Sequence, residues 1–208
     1  MTEILDIYDE NLTWLGTKDR DEVHRDGDWH RVFHCWVLYR DAAGRDFVVM
    51  QRRSPETATF PNLLYVSAAG HYAAGEKMRD GVREVREELG LEVAFQDLIP
   101  VGRRIGIARH PQVIDHEIAD VCFYRCDKSL AEYHYQPEEV SGLVVLNIDE
   151  ALALFAGEVA VIRGQAVGYG SDVITVASAD FVPTKDDYIF RVLILAKRYL
   201  NGEKYLVI

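Results

Sequence analysis

Apolar and polar positions along the chain fall into two periods, and the change between them outlines the elements. Ile4 to Tyr8 and Thr13 to Gly16 read as two short strands around Asp9-Glu10-Asn11, followed by a polar stretch from Thr17 to Asp28 with no predicted element. His30 to Tyr39 is rich in aromatic and β-branched residues, as strands are. After the turn Asp41-Ala42-Ala43-Gly44, Asp46 to Arg52 reads as its hairpin partner. Leu63 to Ala69 is a further apolar strand ending at Gly70. From Asp80 to Leu89 the period changes: Val82, Val85 and Leu89 recur at three and four residues, giving a helix with one apolar face. Gly90 is its natural stop. Strands are then expected over Leu98 to Ala108, His116 to Cys126 and Val140 to Leu146. A short helix follows over Asp149 to Phe155, with Asp149 near its cap. A small β excursion between Gly157 and Pro183 leads to a last helix over Asp187 to Leu200. Sheets flanked by helices make this an α/β or α+β domain.

Composition narrows the classes. A chain of 208 residues with 49% hydrophobic and 27% charged residues is ordinary globular material, large enough to bury a core without staples. One domain over 1–208 is expected, with 1–28 an N-terminal hairpin extension and 157–208 a C-terminal extension that selects substrate and carries the helix. The formal charge of -11 argues against a nucleic-acid polymer as partner. It does not exclude an anionic small molecule, because a bound divalent cation reverses the local field. Cys35, Cys122 and Cys126 are odd in number and form no CxxC pair, which argues for a reducing compartment and against a zinc site. Met1-Thr2-Glu3-Ile4-Leu5-Asp6 lacks the features of a signal peptide, and no stretch is long enough to span a membrane. A cytoplasmic protein without a membrane partner is expected.

The candidate chemistry sits on the helix. Glu84, Glu87 and Glu88 lie three and four residues apart and converge. Arg83 can pair with Glu87, but one arginine does not neutralise three acids. A hard divalent cation does, and magnesium takes oxygen ligands, keeping waters and phosphate oxygens in its shell. Phosphoanhydride cleavage needs this combination, with a cation to lower the pKa of a bound water and a carboxylate to take its proton. An acid-rich solvated helix face is the alternative.

The surrounding residues resemble the Nudix box. Gly70 and Glu76 match its first part, and Arg83-Glu84-Val85-Arg86-Glu87-Glu88-Leu89-Gly90-Leu91 matches all of its second part. The spacer Lys77 to Val82 is six residues where the family has seven, which leaves the role of Glu76 open. The resemblance implies the Nudix fold, a mixed β-sheet sandwiched between helices, here with an N-terminal β-hairpin and a C-terminal helix. It implies magnesium, with manganese as a substitute, held by Glu84, Glu87 and Glu88, and Arg83 orienting the glutamates. Gly70 and Gly75 would shape the loop, Gly70 and His71 would lie against substrate, and Glu87 would take part in catalysis.

The flanks are similar to Nudix proteins related to isopentenyl-diphosphate isomerase: Asp6-Ile7-Tyr8-Asp9-Glu10-Asn11, Glu22 to His30, and Gln51-Arg52-Arg53-Ser54. That isomerase needs a cysteine immediately before the Gly-His of the loop, where this chain has Ala69, and lysines after its Arg-Arg pair, where Ser54 to Thr59 has none. Loss of an essential acid–base group removes orders of magnitude in rate, so hydrolysis is the expected reaction. A non-catalytic ligand sensor would have lost box glutamates, and none is lost here. By the same resemblance His30 and His71 align with metal ligands, and Asp115 and Glu117 with two acidic ones. His30 and His71 stay open between ligand and core, whereas His24 and His34 read as pocket-lining or core residues. Glu117 is expected to face the box helix, as general base or further ligand. One of Arg52 and Arg53 should grip substrate phosphate while strand alternation turns the other away. The substrate class is a small-molecule diphosphate carrying a further group, by default a nucleoside diphosphate derivative. Selection of that group is expected from Ser54 to Asn62, from 157–183, and from Phe60, Tyr65, Tyr72 and Tyr169, since aromatic rings can stack on a base. The sequence does not read out an oligomeric state; a homodimer is the general default.

Overall fold

The computed structural model describes residues 3–57, 59–110 and 113–208. Ala58, in the expected selectivity loop, and Met1-Thr2 lie outside the described residues. Among the described residues eleven strands are joined in one branched, mainly antiparallel sheet. β1 (Ile4–Tyr8) and β2 (Trp14–Asp19) form the N-terminal hairpin. β3 (Trp29–Arg40) pairs with β4 (Asp46–Arg53) as expected.

β3 organises the molecule. One edge runs parallel to β8 (Val113–Arg125) from Trp29 to Leu38. The other edge is shared in turn by β1 near His30, by β6 (Ala68–His71) at Val32 to Cys35, and by β4 at Val37 to Arg40. β4 likewise leaves β3 and takes β5 (Leu64–Tyr65) at Gln51 and Arg52. The sheet therefore splits between β3 and β4, which carries the ends of these strands to opposite sides of an opening. Beyond β4 come β9 (Val140–Asn147), the strand expected over Val140 to Leu146, and then β10 (Val161–Val167) and β11 (Val173–Ala177), the expected β excursion. β7 (Ile99–His110) pairs with β8 as a long antiparallel ribbon.

Among the described residues four α-helices complete the fold: α1 (Arg20–Asp26), α2 (Val82–Leu89), α3 (Ile148–Phe155) and α4 (Tyr188–Leu200). α2 buries Val85 and Leu89 against Phe33, Cys35 and Val37 of β3. α3 and α4 cover the other face, where Tyr188, Val192 and Leu193 pack with Trp36, Leu38 and Val48. A mixed sheet between helices is thus observed, with antiparallel pairing dominant.

Three local expectations are corrected. The polar stretch Thr17 to Asp28 contains α1, seven residues with one buried apolar side chain, Val23, so hydrophobic periodicity had too little to register. Its signals were caps: the Asp19 side chain accepts from the Asp21 N–H, and Gly27 closes the helix at φ 74°. Leu63 to Ala69 is two short strands, because β5 and β6 pair with different partners at the split. The cap of α3 is Asn147, whose side chain accepts from the Glu150 N–H, and Asp149 sits in the first turn.

Candidate active site

The opening between β3 and β4 holds a cavity of about 890 Å³, within the range of small-molecule sites. Glu84, Glu87 and Glu88 enter it from α2, and Glu117 from β8. Arg53, Gln51, Gly70, His71 and Arg83 also line it.

The α2 glutamates occupy unlike environments. Glu84 and Glu88 are each 6% exposed, whereas the Glu87 side chain is 37% exposed. Glu88 Oε2 accepts from the Ala69 N–H at 2.8 Å and from Gln51 Nε2 at 3.0 Å. Burial pushes the Glu88 carboxyl well above its usual range, and Glu84 and Glu139 add repulsion. Glu84 is raised to about 7, mainly by burial, with Arg83 offsetting part of the rise. Gly70 makes room for it: a β-carbon there would stand 2.1 Å from Glu84 Cδ. Such crowding of unneutralised carboxylates fits a divalent cation with oxygen ligands.

Arg83 holds the cluster from one side. Its Nη1 lies 2.6 Å from Glu84 Oε1 and 3.2 Å from Glu87 Oε2. Nη2 donates to the His71 carbonyl at 2.9 Å and to Glu76 Oε2 at 3.2 Å, while Nε donates to Glu76 Oε1 at 3.3 Å. Glu76 also accepts from the Ala73 N–H, so despite the shorter spacer it both pins the loop and braces Arg83.

Across the cavity, burial raises Glu117 to about 8, helped by Asp115 and opposed by Arg104 and Arg53. Arg53 faces the cavity and donates to Thr59, whereas Arg52 stacks on the Tyr169 ring at 4.7 Å and donates to Asn62. Of these neighbours Arg53 is the one that lines the cavity. Gln51, two residues before Arg53, shares its strand face by alternation and also lines the cavity.

A second cluster stands beside the first. His24 of α1, His30 of β3 and His71 of β6 bring ring nitrogens within 4.8 Å of one another. His30 Nε2 and Asp115 Oδ1 are 3.4 Å apart, His24 Nε2 and Asp115 Oδ1 3.9 Å. His30 Nε2, His71 Nε2 and Asp115 Oδ1 are buried without a hydrogen-bond partner. Burial lowers His30 to about 4 and His71 well below its usual value, so both rings are neutral and keep lone pairs. His34, by contrast, is a satisfied core residue, with Nδ1 2.9 Å from the Tyr188 hydroxyl. Tyr65 also lines the cavity. Tyr72 is buried, with the Arg31 guanidinium over its ring, and does not line the cavity.

The fold and this arrangement define a class. The NUDIX domain family model matches residues 28–163, and the chain belongs to the Nudix family of hydrolases, which act on acid anhydrides. An uncharacterized Nudix hydrolase of Clostridium acetobutylicum is 41% identical over 151 residues, covering 71% of each chain. An isopentenyl-diphosphate Delta-isomerase of Mycolicibacterium vanbaalenii is 30% identical over 142 residues, covering 67% of this chain and 74% of its own. Among solved structures, one from Deinococcus radiodurans superposes with a TM-score of 0.54 at 27% identity, covering 74% of this chain and 90% of its own. Among the described residues no helix is long and apolar enough to cross a membrane.

Proposed function

We propose that the protein is a magnesium-dependent hydrolase of a diphosphate linkage in a nucleoside diphosphate derivative or a similar small molecule. The observation that carries this reading is the convergence of two buried glutamates of α2 with Glu117 of β8 on one cavity. Glu84 and Glu88 would hold the cation, with Glu87 at the exposed rim. Bound there, magnesium supplies charge neutralisation and a water acidified enough to act as nucleophile. Gln51 and the Ala69 N–H fix the Glu88 carboxylate through Oε2, so that Glu88 would be oriented before a cation binds. Arg83 keeps Glu84 and Glu87 from swinging apart. Glu117, raised to about 8 by burial without a cation, is the side chain placed to receive the proton of the attacking water. Arg53 offers its guanidinium to the phosphate oxygens. Ala69 carries no acid–base group where the isomerase chemistry requires a thiol.

The test is release of phosphate and nucleotide from nucleoside di- and triphosphates, nucleotide sugars, dinucleoside polyphosphates and isopentenyl diphosphate, with magnesium and with a chelator. Metal-dependent release is expected, falling by about three orders of magnitude in Glu88→Gln with the fold intact. Unchanged turnover in that variant would refute the metal-site assignment, and isomerisation of isopentenyl diphosphate would refute the reaction class.

The orphaned atoms of the histidine cluster favour a second cation subsite of different character. Two neutral imidazoles with free lone pairs, a third nearby and a buried carboxylate suit manganese or another nitrogen-tolerant cation better than magnesium. Elemental analysis after equilibration with manganese should show one equivalent lost in His30→Ala and retained in Glu88→Gln. Equal metal content in wild type and His30→Ala would remove this subsite.

A further inference from the structure

The C-terminal segment beyond residues 28–163 lines the cavity with Val182, Pro183, Thr184 and Lys185, and the next residue, Asp186, holds a cavity-lining arginine that the mechanism above does not use. Arg104 of β7 is 8% exposed. Its Nε and Nη2 donate to the two oxygens of Asp186 at 2.8 and 2.9 Å, a bidentate grip. Its guanidinium lies 4.2 Å from the centre of the Tyr188 ring, at the start of α4. With Nε and Nη2 engaged, Nη1 is the end that faces the cavity, 3.4 Å from the Tyr65 hydroxyl and 3.9 Å from Glu117 Oε2.

Gly106 explains how the two side chains meet. Arg104 and Gly106 share one face of β7 by alternation, and Gly106 is the register partner of Glu117 on β8. A β-carbon at Gly106 would lie 3.0 Å from Arg104 Nη1 and 3.4 Å from Glu117 Oε2. Its φ is not in the left-handed region, so the backbone does not demand glycine there. The missing side chain is the gap through which guanidinium and carboxylate approach.

We infer that Arg104 is a positioning residue for Glu117, itself held in place by Asp186 of the C-terminal segment. A fixed cation restricts the carboxylate to one orientation across the cavity from Glu84 and Glu88. Since Asp186 carries the opposite charge and binds both other nitrogens, Arg104 is oriented before substrate arrives and needs no reorganisation during turnover. This inference rests on the hydrolase reading above and adds a dependence of catalysis on Asp186, a residue that the family model does not span.

The experiment uses the full chain with magnesium and whichever member of the nucleotide panel it hydrolyses fastest. Arg104→Met and Asp186→Ala should lower kcat about 10- to 100-fold with KM within about twofold, the scale on which misplaced catalytic groups act. Asp186→Glu should restore most of the loss, and the Arg104→Met, Asp186→Ala double variant should be no slower than Arg104→Met alone. Gly106→Ala is the cleanest probe: it keeps Arg104, Asp186 and Glu117, requires only the tip of Arg104 to shift, and should lower kcat about 10-fold at unchanged melting temperature. A raised KM at unchanged kcat would overturn the inference and make Arg104 a substrate ligand. Losses tracking melting temperature across the variants would reduce it to a structural ion pair. An active wild type with Arg104→Met, Asp186→Ala and Gly106→Ala all unaffected would overturn it while leaving the hydrolase reading intact; an inactive wild type across the panel would remove both.

Discussion

Gly70 is the clearest case of a residue whose importance lies in what it lacks. Its place in the box invites a role in loop shape or substrate contact, and its hydrogen does neither alone: it leaves the volume that the Glu84 carboxylate fills. A β-carbon at position 70 would come within 2.1 to 2.4 Å of all three atoms of that group. Gly70→Ala should therefore swing Glu84 away from the cation site. Turnover should fall about 100-fold and the half-saturating magnesium concentration should rise, while circular dichroism stays native. Wild-type magnesium dependence in Gly70→Ala would show that Glu84 does not ligate. The contrast with Gly75 is physical: it takes φ 84° and nothing lies within 4 Å of an added β-carbon, so its need is conformational.

At the scale of elements, the site is a meeting of strand ends and one helix, and the elements are tied together by a few buried charges. Asp46 of β4 is 1% exposed; Arg40 of β3 donates to it at 2.6 and 3.0 Å, and Lys197 of α4 stands 3.3 Å away. Burial alone would raise this carboxyl, but the hydrogen bonds from Arg40 and Lys197 outweigh it and hold it below its usual 3.8. The stabilisation is thus complete above the unfolded value and is lost as pH falls below about 4 through the folded one. Asp46→Asn should cost about 2 kcal/mol at pH 7, as charge-assisted hydrogen bonds do. The difference from wild type in denaturant unfolding should shrink on acidification toward pH 3. A difference that stays constant from pH 7 to pH 3 would mean that the charge of Asp46 contributes nothing. α1 was invisible to periodicity for a related reason: seven residues with a single buried apolar side chain are held by caps and by packing on the β1–β2 hairpin. That helix is nevertheless what carries His24 toward His30 and His71.

The whole molecule is built around an electrostatic cost. Glu84, Glu88, Asp115 and Glu117 are all displaced upward by burial, which outweighs Arg83 beside Glu84, the Ala69 N–H and Arg53 at Glu88, His24 and Arg53 near Asp115, and Arg104 and Arg53 near Glu117. Such a cavity lowers the stability of the metal-free protein and repays it on binding, the usual trade between a functional site and stability. Magnesium at saturating concentration should raise the melting temperature by several degrees through mass action, and a chelator should reverse the shift. Glu84→Gln should melt higher than wild type without metal and gain less from magnesium. A wild-type melting temperature indifferent to magnesium would contradict a cation site in the cavity.

The sequence by itself determined the α2 helix, its glutamate face and its glycine stop, because helical period and box spacing are properties of neighbouring residues. It also determined most strands and the hairpin of β3 with β4, which depend on local alternation and turn chemistry. It foretold that Arg52 and Arg53 would part, since successive strand residues point to opposite faces. Tertiary structure alone decided that the inward residue is Arg53, that Leu63 to Ala69 divides between two partner strands, and that Glu76 braces Arg83 across a shortened spacer. It also decided that Arg104 meets Asp186, 82 residues away, and Glu117 across a gap left by Gly106. Those outcomes depend on which strands become neighbours where the sheet splits, and no local period encodes a contact that exists only after non-adjacent strands have paired.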